Sequence, residues 1–175
     1  MFSLTSLALL GTFTLPSTFA QRNGGHGKGG HSVSSPELFT DVTIFDPPDN
    51  YTVPRTLYAR TLLLNYNCET DPDTILATWE NYLPTENNTQ NCPDNCPENP
   101  YLPIYQSADG GLTWSERTKV YDQVNGWGLR YQPALFELPE PVGDYPAGTL
   151  LMAANSIPAD LNGTKIDVYV STDVG

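Results

Sequence analysis

Ser107-Ala108-Asp109-Gly110-Gly111-Leu112-Thr113-Trp114 is the stretch whose reading decides the fold. The runs on either side, Tyr101 to Gln106 and Val120-Tyr121, have the apolar or alternating character of strands. Asp-Gly between two such runs signals a hairpin. The short Asp109 side chain can accept hydrogen bonds from N–H groups of its own turn, and Gly111 can take a positive φ without a Cβ clash. Trp114 then brings a large ring suited to packing between sheets.

The opening of the stretch recurs as Ser171-Thr172-Asp173-Val174-Gly175, 64 positions later. The spacing Ser-x-Asp-x-Gly-x-Thr-Trp resembles the Asp-box, or BNR repeat, of the sialidase superfamily. In that resemblance Ser107, Asp109, Gly111, Thr113 and Trp114 form one box, and Ser171, Asp173 and Gly175 begin a second that the sequence ends inside. Two units, each behind a strand-like run, suggest β-propeller blades of about four strands each. The expected fold is all-β: an incomplete β-propeller of about two four-stranded blades, in a truncated chain.

Strand-like runs fall at Arg55 to Leu64, Thr74 to Trp79, Tyr101 to Gln106 and Ser115 to Tyr121, giving a blade over about 53–121. The order returns at Gln132 to Leu138, Thr149 to Ala154 and Lys165 to Val170, giving a second over about 130–175. In an up-and-down blade, alternate connections lie at opposite ends. The boxes join third to fourth strands, so Arg55, Glu80, Arg130, Tyr131 and Asn155 are expected at the other end. Asp109 and Asp173 are then structural. Glu80 is a weak candidate acid at the end of a strand, with a solvated loop carboxylate as the alternative. Arg55 offers a planar donor fork to a sugar, or is an ordinary strand-edge arginine. Trp127, Arg130 and Tyr131 could form a sugar-stacking rim or pack between blades.

Residues 1–20 read as a secretory signal peptide, with an apolar run from Leu4 to Leu15 and Thr18-Phe19-Ala20 as cleavage site. Residues 21–40 read as a Gly-rich flexible linker. It carries His26 and His31, which without a rigid frame pre-organise no metal site. Removing the signal leaves about 155 residues, enough for one core. The net charge of −12 argues against nucleic acid and anionic membranes. No metal and no cofactor is expected, and the chain is expected to be secreted, extracellular and monomeric. Asn50, Asn87 and Asn162 open N-glycosylation acceptor triplets. Cys68, Cys92 and Cys96 are disulfide candidates in an oxidising compartment; Cys92–Cys96 closes a small ring, while Cys68 to either would tie the loop to the sheet.

Several stretches resemble secreted fungal BNR-repeat proteins related to glycoside hydrolase family 93, the exo-arabinanases. They are Val53-Pro54-Arg55-Thr56-Leu57, Gly126-Trp127-Gly128-Leu129-Arg130-Tyr131-Gln132-Pro133, Asn155-Ser156-Ile157-Pro158, and Ile166 to Asp173. The resemblance runs over about Phe45 to Gly175. It implies a sialidase-like six-bladed propeller acting on arabinan chain ends, with carbohydrate as partner and Arg55 as a substrate-binding arginine. Glycoside hydrolysis generally needs two carboxylates flanking the scissile bond. The resemblance places that pair in later blades, so this chain is expected to lack it. The alternatives are a non-catalytic secreted glycan-binding or interaction module, or an inactive fragment.

Overall fold

The computed structural model describes residues 41–67, 73–86 and 96–173. The signal and linker readings, both histidines, Cys68, Asn87, Cys92 and Gly175 lie outside the described residues. Cys96 is disulfide-bonded.

The described residues form seven strands and no helix: β1 (Thr56–Leu63), β2 (Ile75–Asn81), β3 (Leu102–Ser107), β4 (Ser115–Val120), β5 (Leu129–Glu137), β6 (Leu150–Ser156) and β7 (Lys165–Ser171). They make two antiparallel sheets, ordered β1-β2-β3-β4 and β5-β6-β7. Within each sheet every strand pairs with its neighbour in sequence, the up-and-down order of propeller blades. The all-β, partial-propeller class expected from the sequence is the one observed.

β2 explains how the sheets stack. It shows no polar alternation because both of its faces are covered. Leu76 joins Leu102 and Ile104 in one core with Leu129, Leu150, Met152 and Ala154 of the second sheet. On the other face Trp79 stacks on Phe45 at 5.2 Å between centroids, and Tyr105 lies 4.9 Å from Trp79. Phe45, which precedes β1, therefore covers the face of the first sheet turned away from the second.

Two buried glutamates cross the seam between the sheets. Glu80 of β2 accepts the backbone N–H of Gln132 in β5 at 3.0 Å. Glu137 of β5 accepts N–H groups from the segment after β1: Asn65 at 2.7 Å, Tyr66 at 3.0 Å and Asn67 at 2.7 Å. Each supplies an acceptor to backbone that its own ladder leaves unpaired. Gly148 lies against the same segment at φ +83°, and a Cβ there would stand 2.8 Å from Asn67 Cα. Only glycine permits that approach.

Strand limits differ from expectation around the prolines. β5 starts at Leu129, not Gln132, because its ladder to β6 absorbs two irregularities, at Leu129/Tyr131 and Tyr131/Ala134. Pro133 sits in the second, where a missing N–H disrupts little, and Gln132 takes φ +54°. Arg130 and Tyr131 are thus inside a strand, on bulged backbone that re-aims side chains. β2 likewise runs through Glu80 to Asn81.

The Ser107–Trp114 turn closes on itself. Ser107 Oγ donates to Asp109 Oδ1 at 2.7 Å and accepts from Gly111 N at 2.8 Å. Asp109 Oδ1 also accepts from the N–H groups of Leu112 and Thr113 at 3.0 and 2.9 Å, and Oδ2 from Thr113 Oγ1 at 2.6 Å. The hydrogen bonds from Thr113 and Ser107 hold the Asp109 carboxyl well below its usual range. Ser171 Oγ donates to Asp173 Oδ1 at 2.7 Å, so the second stretch opens in the same way. Trp114 corrects one expectation. It is half-buried and outside the intersheet core, its Nε1 donating to Gly111 O at 3.0 Å. The ring braces its own turn instead of filling the space between sheets.

Candidate functional site

The end of the sheets opposite that turn is built from the end of β2, the start of β5, the β4–β5 loop and the β6–β7 loop. Its organiser is Asp122, which sequence reasoning missed. Asp122 Oδ1 accepts the N–H groups of Val124 and Asn125, both at 2.9 Å. Oδ2 accepts those of Trp127 at 3.0 Å and Gly128 at 3.3 Å, together with the Ser156 hydroxyl. Burial pushes this carboxyl up, but the Ser156 hydroxyl and the Asn125, Val124 and Trp127 N–H groups outweigh it and hold the group ionised well below the usual carboxylate range.

Around it the polar groups are interlocked. Asn125 Nδ2 donates to Asp167 Oδ2 at 2.8 Å and to Ser156 Oγ at 3.1 Å. Lys165 Nζ donates to Asn125 Oδ1 at 2.7 Å and stands 4.9 Å from the centre of the Trp127 ring. Trp127 is thus held by its backbone through Asp122 and capped on its ring by Lys165. Tyr169 lies behind, its hydroxyl pushed up to about 12 by burial and by the charges of Asp122 and Asp167.

Arg130 and Tyr131 come together at a cavity of about 50 Å³ with Asn81, Tyr82 and Pro100 on its walls. Arg130 is half-buried, and its Nε donates to Ile157 O at 3.3 Å; burial lowers its pKa from the usual guanidinium value. Tyr131 also walls a second cavity of about 320 Å³ with Ile157, Leu161 and Asn162. The ring of Tyr82 lies 6.1 Å from that of Tyr131. Gly163, on the wall of that second cavity, faces the Trp127 ring, 4.0 Å from where its Cβ would be. The expected rim of Trp127, Arg130 and Tyr131 therefore shares one end of the molecule.

Two expected residues stand apart. Arg55 is in neither cavity wall; it takes φ +72° and pairs with the exposed Asp49 at 2.9 Å. Glu80 is neither a solvated loop group nor an open acid. It is 2% exposed, and besides Gln132 N it accepts the Tyr82 hydroxyl at 2.7 Å. Burial, then the hydrogen bond and charge of Glu80, raise the Tyr82 hydroxyl far above its ordinary value. A larger groove of about 510 Å³ runs between β4 and β7, but its walls carry neither Arg130 nor a rim aromatic. Arg117 of β4 bridges that side, donating to Gln106 Oε1 and, at 3.1 Å, to Asp173 O.

The chain is a partial propeller segment, and its structural neighbours make it glycoside hydrolase-like. It is similar, with 50% identity over 78% of its length and a TM-score of 0.66, to the GH93 α-L-arabinofuranosidase of Fusarium graminearum in complex with arabinobiose. The same identity and coverage hold, at a TM-score of 0.65, for an α-L-arabinanase of Penicillium chrysogenum complexed with arabinobiose. The chain spans about a third of the length of these proteins, 33% and 34%. No protein-family model matches the chain, and no curated protein matches it.

Proposed function

We propose that the chain contributes two blades of a secreted, carbohydrate-active propeller that holds the end of an arabinan or related glycan at the Arg130–Tyr131 end of its sheets. The 50% identity to two arabinan-acting glycosidases, each solved with arabinobiose, carries this reading. The Ser107 and Ser171 turns act in it as Asp-boxes of the sialidase superfamily, and Arg130, Tyr131 and Trp127 as sugar contacts. The protein is glycosidase-like and exo-acting in this reading, with carbohydrate as its partner and the protein itself monomeric.

For these residues alone, binding without turnover is the better-supported activity. At this end of the sheets Glu80, Asp122 and Asp167 all accept hydrogen bonds from the protein itself. None of these three carboxylates is free, and hydrolysis generally needs a pair of them flanking the scissile bond. Calorimetry with arabinobiose and reducing-sugar release from arabinan test both points. Binding with no release is expected. Absence of binding removes the sugar-site reading, and release of arabinose by this chain removes the non-catalytic one.

A further inference from the structure

We propose that Asn162 carries an N-linked glycan that lies over the Tyr131 cavity, so that the chain's own modification controls access to that end of the molecule. This rests on the reading of the cavity as part of the sugar-binding end. Asn162-Gly163-Thr164 is an acceptor triplet, and Asn162 is exposed on the β6–β7 loop. All three residues line the 320 Å³ cavity together with Tyr131, Ile157 and Leu161. The acceptor is therefore part of the wall.

Local geometry fixes where the sugar would go. Leu161 N donates to Pro158 O at 3.0 Å, closing a turn in which Leu161 takes φ +58°. Asp160 then holds the acceptor, its Oδ1 taking Asn162 N and its Oδ2 taking Asn162 Nδ2, both at 3.1 Å. The amide nitrogen has two hydrogens. Transfer forms a bond from the sugar C1 to Nδ2 and breaks the C1–phosphate bond of a polyprenyl-diphosphate oligosaccharide donor. One Nδ2 proton leaves with the released diphosphate. The second N–H can stay on Asp160, which aims the new branch along the cavity wall. The first ring then finds an apolar floor for its C–H face in the Tyr131 ring and in Leu161, which is 59% exposed. Gly163 keeps the path toward Trp127 open, since it has no side chain to fill it. Asn50 opens the other acceptor triplet among the described residues and lines neither cavity, so it serves as the control.

The test uses the full chain recovered from the medium of a eukaryotic host. Peptide mass mapping before and after enzymatic N-glycan removal reads occupancy. Hydroxyl-radical footprinting of Tyr131 and Leu161 reads cover, and calorimetry with arabinobiose reads access. The expected result is an oligosaccharide mass on the Asn162 peptide. Tyr131 labelling should rise several-fold in N162Q and T164A and stay unchanged in N50Q, with tighter arabinobiose binding in the same two variants. An unmodified Asn162, or equal Tyr131 labelling with and without the glycan, overturns the inference. If labelling changes while no form binds arabinobiose, the sugar-site reading falls and the glycan cover stands.

Discussion

Glu137, at the end of β5 in the second sheet, accepts the backbone N–H of Asn67, in the segment that follows β1 of the first, at 2.7 Å across 70 positions of sequence. The same carboxylate takes the neighbouring N–H groups of Asn65 and Tyr66, so one side chain satisfies three donors. Glu137→Leu would leave these part-buried donors without their acceptor, at a cost of about 3 kcal/mol. Glu137→Gln, which keeps an acceptor oxygen, should cost about half of that. Urea melts of the two variants decide it; equal stability of E137L and wild type would show that solvent reaches these groups.

Asp122 gives the chain an acid-sensitive loop. Its carboxyl titrates below the ordinary value of about 4 when folded. A lowered folded value contributes stability that is fully present above the unfolded pKa and is lost as pH falls through the folded one. Wild type should therefore lose stability progressively below about pH 4. Asp122→Asn should flatten that dependence, leaving the slope due to Asp109, and cost about 2 kcal/mol at neutral pH. Thermal melts from pH 2 to 7 provide the comparison, and parallel curves would sink the assignment.

The Ser107 turn should be sensitive in a graded way. Ser107 is 1% exposed and serves Asp109 and Gly111 together, so Ser107→Ala should cost about 1–3 kcal/mol. Trp114→Ala should cost about 1–2 kcal/mol, below the 3–5 kcal/mol of a fully buried ring. A loss at the upper figure would mean that the ring packs more deeply than its half-buried position implies.

At the opposite end, Arg130→Ala and Tyr131→Ala should each weaken arabinobiose binding by about tenfold, the loss of roughly one good contact. Arg117→Ala should leave affinity unchanged, because its partners Gln106 and Asp173 lie away from that end. Calorimetry on the three variants separates the ends; an equal loss in R117A would mean that the sheets' packing, not a local contact, carries binding.

Tyr82 and Glu80 should be energetically coupled. Tyr82→Phe removes the donor to Glu80 Oε2 and should cost about 1 kcal/mol. A double-mutant cycle with Glu80→Gln should return a coupling of about 1 kcal/mol, and a zero coupling would show that Gln132 alone accounts for the buried carboxylate.

Much of the architecture was legible because its causes are local. Alternation marks β7, the continuous apolar run marks a strand covered on both faces, and Ser-x-Asp-x-Gly announces the turn. The end bearing Arg130 and Tyr131 followed from counting strand directions. What escaped is long-range or backbone-mediated. Nothing beside Glu137 names Asn65 to Asn67 as its partners, and Glu80 looks open until Gln132 is folded against it. Pro133 disguised the start of β5, because a proline in a bulge and a proline that ends a strand look alike in sequence. Asp122 left one faint signal, an acid shortly before Asn125-Gly126-Trp127-Gly128, where glycines free the backbone to converge on a carboxylate. Trp114 was misplaced because a large ring after a turn can fold back as readily as forward.

The two glutamates of the seam point in opposite senses, Glu80 from the first sheet into the second and Glu137 from the second into the first. An apolar seam alone would let one sheet pivot against the other at little cost, since burial has no preferred direction. Hydrogen bonds at both rims remove that freedom, because any pivot stretches one of them. The wedge angle between neighbouring sheets is thereby locked, and in a closed ring that angle decides how many sheets complete the circle. A pair of buried carboxylates therefore acts as the protractor of this architecture.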